Sequence, residues 1–145
     1  MKLFYSRVAL FLAFAIAAAP LTAGAVVLSA IDEGAVRQVI VGQLQAFADD
    51  DADSAFAFAT PGVRAAIGES GRFLAMVRGA YPMVYRPASV AFLKPEETSG
   101  KVMQLLQITD HHDKSWLVVF AMERQPDASW RISACMVTEN RWRSA

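Results

Sequence analysis

The apolar positions of this chain change period once, and that change divides it in two. From position 36 to 81 they recur every three or four residues; from 89 to 137 they alternate. Asp32 is a good N-cap, and behind it Val36, Val39, Ile40, Leu44 and Phe47 share one side, with Arg37, Gln38, Gln45 and Asp49 on the other. This predicts an amphipathic first helix. Asp49, Asp50, Asp51 and Asp53 interrupt the pattern, and residues 55–59 predict a short second helix with acids at its positive end. Thr60-Pro61-Gly62 restarts the chain, since threonine caps well and proline suits the first helical position; this third helix should end at Gly68. Ser70 is the candidate cap of a fourth, in which Phe73, Leu74, Val77, Ala80 and Tyr81 fall on one face. Pro82 stops it and Pro87 holds Arg86 extended, so residues 82–87 read as a stiff connector.

Four runs of strand character follow, at residues 89–93, 102–109, 116–124 and 130–137, and their short connections predict an antiparallel meander. Register follows from keeping the large side chains on one face. Trp116, Val118, Phe120 and Met122 share a face of the third run, and Trp130, Ile132 and Met136 a face of the fourth. These faces coincide if Gln125 pairs with Ser129 across the loop Pro126-Asp127-Ala128, with Ala128 in the left-handed position. The same logic puts Val102, Gln104, Leu106 and Ile108 inside, with Gln104 the one polar member. Met103, Leu105, Gln107, Leu117, Val119, Ala121, Ser133, Cys135 and Val137 then form an outer face too apolar for solvent alone, and a homodimer through it is expected.

Composition adds a compartment. Lys2 and Arg7 precede an unbroken apolar run over residues 8–19, and Pro20-Leu21-Thr22-Ala23-Gly24-Ala25 ends in an Ala-x-Ala pattern. Residues 1–25 are therefore expected to be a cleaved signal peptide, residues 26–145 a single domain, and the protein periplasmic or secreted. Pro20, Thr22 and Gly24 disfavour the competing uncleaved membrane anchor. Loss of Lys2 and Arg7 leaves 12 basic residues against 14 acidic ones, which argues against nucleic acid as a partner. With Cys135 as its only cysteine, the chain has no intramolecular disulfide and must hold by its core.

Helices followed by an antiparallel sheet resemble the α+β roll of the nuclear transport factor 2 and cystatin-like superfamily. Ala55-Phe56-Ala57-Phe58-Ala59-Thr60-Pro61-Gly62, the stretch 72–87, and Glu123-Arg124-Gln125-Pro126-Asp127 with Trp130-Arg131-Ile132-Ser133 resemble more specifically the bacterial family named domain of unknown function 4864. The likeness runs from residue 36 to 137. It implies an exported α+β protein with three to four helices packed on a curved four-stranded antiparallel sheet, and it assigns no activity.

Candidate chemistry is sparse. Asp49, Asp51 and Asp53 have the alternate spacing of a calcium loop, but Ser54 and Thr60 stand where glycine and glutamate are required, so helix capping is the better reading. His111 and His112 sit side by side on a turn with no third histidine, and Cys135 has no basic neighbour to activate it. No metal or cofactor is expected. Rolls of the resembled superfamily hold a cavity between sheet and helices, whose rim the connector should cross. Tyr81, Tyr85, Arg86 and Gln104 are accordingly the candidate ligand contacts, against the plainer reading of packed rings and a surface ion pair. The expected function is a non-catalytic binding or accessory module for a small hydrophobic or partly anionic ligand. A small isomerase or dehydratase working in the cavity, and a structural dimer without ligand, are the alternatives.

Overall fold

Ser29, rather than Asp32, opens the first helix. In the computed structural model, which describes residues 28–141, α1 runs Ala30–Ala48 and the Ser29 hydroxyl accepts from the Asp32 N–H at 3.1 Å. Asp32 instead supplies acid to the first turn, where the helix dipole favours it. The expected signal peptide and the end of the tail, Trp142 and Arg143, lie outside the described residues. None of the described helices is long and apolar enough to cross a membrane.

Asp51 caps α2 (Ala52–Ala57) through the Ser54 N–H at 3.1 Å, so this helix starts earlier than the apolar run alone indicates. Thr60 caps α3 (Pro61–Ile67), which stops at Gly68 with a φ of 98° that glycine adopts without strain. Ser70 is the first residue of α4 (Ser70–Ala80) and not its cap; Glu69 holds that position without a side-chain bond. Tyr81, ahead of Pro82, leaves the helical region at φ −130°, ψ 59°, and the stiff connector is itself a single helical turn, α5 (Pro82–Tyr85).

The sheet follows as β1 (Ser89–Phe92), β2 (Glu96–Thr98), β3 (Lys101–Thr109), β4 (Ser115–Arg124) and β5 (Trp130–Glu139), all antiparallel neighbours in the order β1-β3-β4-β5, with β2 also on β3. The fold is thus α+β, with the helices N-terminal to an open antiparallel sheet. β2 adds a short fifth strand to the expected four. It carries two glutamates and a threonine, so no hydrophobic alternation announces it; its pairing with Lys101, Val102 and Met103 is a backbone matter.

Val102, Gln104, Leu106 and Ile108 of β3, each at most 1% exposed, meet Val36, Ile40 and Phe47 of α1 in one core with Val118, Phe120 and Met122 of β4. The last hairpin has the expected loop. The Gln125 N–H donates to Ser129 O at 2.7 Å and the Ala128 N–H to Gln125 O at 2.9 Å, with Ala128 at φ 69°.

Beyond Ile132 the register departs from expectation. Met122 pairs with Ile132 but Ala121 with Ala134, so Ser133 is an extra residue in β5 and the strand bulges there. One extra residue reverses every later side chain. Met136 pairs with Val119 and is 53% exposed, whereas Cys135 and Val137 pair with the buried Phe120 and Val118. Met136 therefore belongs to the outer face, and Cys135 and Val137 to the inner one, the reverse of the uninterrupted alternation.

Candidate functional site

The bulge at Ser133 opens a space where the helices do not close over the sheet. A cavity of about 210 Å³ lies there. Its walls are Gln43 and Phe47 of α1, Val63 and Ile67 of α3, and Phe73, Met76 and Val77 of α4. Tyr81 and Val84 stand at the turn into α5, and the floor is Phe120 with Ile132, Ser133, Ala134 and Cys135. The rings of Phe47 and Phe73 pack 5.5 Å apart, which fixes α1 against α4 along one wall.

No Asp, Glu, His, Lys or Arg lines this space. Its polar groups are few, and most are engaged. The Ser133 hydroxyl donates to Ala121 O at 3.1 Å, bridging the bulge, and Gln43 Nε2 donates to Ala55 O at 3.1 Å, tying α1 to α2. Cys135 stands on the open wall, reachable by water yet crowded by apolar atoms. That crowding sets the thiol's acidity: desolvation of the thiolate pushes its pKa from 9.0 up to about 12, so it is a neutral thiol at physiological pH.

The four residues singled out in the sequence are not brought together. Tyr81 lines the cavity at its edge and is 37% exposed. Tyr85 and Arg86 are outside the lining and converge on Asp50, in the turn between α1 and α2. The Tyr85 hydroxyl donates to Asp50 Oδ1, and Arg86 donates to Ala48 O at 3.2 Å and Asp50 Oδ2 at 3.4 Å. Arg78 approaches the same carboxylate at 3.7 Å, and both guanidinium groups lie over the Tyr85 ring, that of Arg78 at 5.5 Å and that of Arg86 at 4.7 Å. The hydrogen bond to Asp50 is the main reason the Tyr85 phenol is pushed above its ordinary pKa. Gln104 is also outside the lining; its Nε2 donates to Leu93 O at 2.7 Å and Leu105 O at 3.0 Å, satisfying backbone where β1 leaves the sheet.

Gln43 is a cavity residue without a place among the sequence candidates, and Cys135 is one expected on the outer face instead. Gln43 had a signal, since it stands three residues after Ile40 and seven after Val36, inside the apolar stripe of α1, and a glutamine there must find a buried partner. Cys135 had none, because its orientation depends on the bulge. The other candidates are local structure. Asp51 caps α2, Asp53 accepts from the Ser70 hydroxyl at 2.5 Å, and Asp110 organises the His111-His112 turn through the His112 and Lys114 N–H groups and Trp116 Nε1. Among the described residues no group of three His, Cys, Asp or Glu is placed to hold a metal ion.

A comparison with curated proteins gives no match. The family model described as Domain of unknown function (DUF4864) matches residues 29–145, well over half of the chain, and the protein belongs to that family.

Proposed function

We propose that this protein is an exported binding or accessory module that holds a small, predominantly apolar ligand in the cavity between α1, α3, α4 and the last hairpin. One observation carries the reading: a space of about 210 Å³ walled by aromatic and aliphatic side chains and free of charged ones. Protein interiors are close-packed, so an apolar cavity of this size forfeits contacts along its lining unless something fills it. The sequence pattern of residues 1–25 supports export, and a cavity between helices and sheet accords with the roll superfamily the chain resembles.

Binding is favoured over catalysis of the isomerase or dehydratase kind, which needs a group to carry a proton at the reacting atom. The lining offers no carboxylate or imidazole, and its thiol is held protonated. Arg86, the expected anchor for an anionic group, is engaged by Asp50, so the ligand we propose is neutral. Thermal denaturation of the purified protein with a library of small neutral apolar compounds tests the reading. A ligand at a hundred times its Kd should add about 2.7 kcal/mol of stability, and saturable binding to a protein partner with no stabilisation by any compound would overturn it.

A second copy of the chain on the outer sheet face is the partner we propose. Met103, Leu105, Leu117, Val119 and Met136 lie together across β3, β4 and β5, with Met103 38% and Met136 53% exposed. An apolar strip of this kind, with Glu96, Lys101, Glu123 and Arg131 on the same face at one end, can pair with its own copy about a two-fold axis.

A further inference from the structure

Inside the cavity Gln43 keeps an acceptor that its own fold does not use. Gln43 is 3% exposed and lines the space, and its Nε2 is committed to Ala55 O at 3.1 Å. That bond fixes which way the amide points, because a backbone carbonyl can only accept. The side-chain Oε1 is then the acceptor left over, with no hydrogen-bond partner among the described residues. Among the described residues Arg64 Nε, and not this oxygen, is the buried side-chain polar atom without a partner, so Oε1 is reachable from the cavity and open to a donor from whatever occupies an otherwise apolar space.

Size and charge narrow what could supply the donor. At about 210 Å³ the cavity is smaller than pockets for drug-sized molecules, which begin at roughly 300 Å³. It is larger than an apolar cavity of roughly 150 Å³, which accepts benzene. Phe47, Phe73 and Phe120 give it flat aromatic walls, and no cation in the lining offsets the burial of an anion. From these observations, and resting on the binding reading above, we infer that the ligand is a neutral fused or substituted aromatic of about ten heavy atoms, with one N–H or O–H group donating to Gln43 Oε1. Tyr81, at the edge, marks where the ligand meets solvent, and the thiol of Cys135 is an uncharged part of the wall.

Two isomers isolate the donor. 3-Methylindole and 1-methylindole have the same atoms and nearly the same volume, and only the first keeps its N–H. Calorimetric titration of the purified full chain should give one site for 3-methylindole, with a Kd on the order of 100 µM for a ligand this small. The 1-methyl isomer should bind about three- to tenfold more weakly, as one neutral hydrogen bond implies, and indole-3-acetate at least about tenfold more weakly, because its carboxylate would be buried unpaired. Gln43→Leu should close the gap between the isomers. Should that variant fail to fold, the comparison on the unaltered protein still decides. The position of binding is read at Cys135, whose alkylation 3-methylindole should slow. Heat without that protection places the ligand elsewhere and overturns the inference. Equal affinity of the two isomers, with Cys135 protected, overturns the donor to Gln43 while leaving an apolar binding cavity intact. No heat from any of the three also overturns the inference, and the broader compound library then judges the cavity reading separately.

Discussion

At the scale of single residues, Cys135 shows how position overrides identity. A lone thiol in an otherwise cysteine-free chain invites a reactive reading, yet reactivity follows the thiolate, and the apolar wall around this sulfur suppresses ionisation. With its pKa pushed up to about 12, alkylation by iodoacetamide at pH 8 should be at least about tenfold slower in the folded protein than in the urea-unfolded chain. Equal rates would mean that the thiol is not desolvated. The linkage has a definite sign. Because the folded pKa lies above the ordinary 9.0, stability from this group is intact below pH 9 and declines as pH rises from 9 towards 12. Legibility at this scale was uneven. Gln104 was readable as the one polar group of the inner β3 face, but its engagement with Leu93 O was not, because that partner belongs to another strand's end. Tyr85 and Arg86 were readable as a pair, while Asp50, distant in sequence, was needed to say what holds them.

Elements were legible where a local rule fixed them. Thr60-Pro61 and Gly68 bounded α3, Pro82 ended α4, and the three-residue loop set the register of the β4–β5 hairpin, since each signal acts within a few residues. The bulge at Ser133 was not legible: no glycine marks it, and it arises where β5 also pairs with the chain between α2 and α3, through Ile132 N–H to Phe58 O at 2.8 Å and Thr60 N–H to Ile132 O at 2.9 Å. The turn between α1 and α2 is a second device of this kind. Asp50 sits at φ 55°, a left-handed conformation that costs a non-glycine residue about 1 kcal/mol, and it collects Tyr85, Arg78 and Arg86 from the other end of the helical layer. Asp50→Ala should remove those contacts and keep the strain, lowering stability by about 1 kcal/mol, a modest figure because the pairs are half exposed. Asp50→Gly removes the same contacts but relieves the backbone, so it should lose measurably less. Urea unfolding of both variants checks this, and an Ala variant as stable as the Gly variant would deny the strain.

For the whole molecule, two properties follow from how charge and apolar surface are distributed. Asp51, Asp110 and Asp127 are each held below the ordinary carboxylate value of 3.8, chiefly by side-chain hydrogen bonds from Ser54, Trp116 and Ser129 respectively. A depressed folded pKa gives stability that is present above the unfolded value and lost as pH falls through the folded one. The melting temperature should therefore not fall on account of these groups between neutral pH and about pH 5, and should decline below pH 3.8; Asp110→Asn should make that decline shallower. The sheet's outer face makes the other prediction. Its apolar membership was legible from alternation for Met103, Leu105, Leu117 and Val119, and the bulge adds Met136 to it in place of Cys135 and Val137. Sedimentation equilibrium at ~100 µM, where a weak isologous contact is already populated, should show a dimer. Met136→Lys places a charge on a residue already 53% exposed, so it should cost the single subunit little while setting two like charges near the two-fold axis. The expected result is a monomer with an unchanged melting temperature at low concentration. A wild-type monomer at ~100 µM would rule out the shared face, whereas a dimer that survives Met136→Lys would move the contact to another surface.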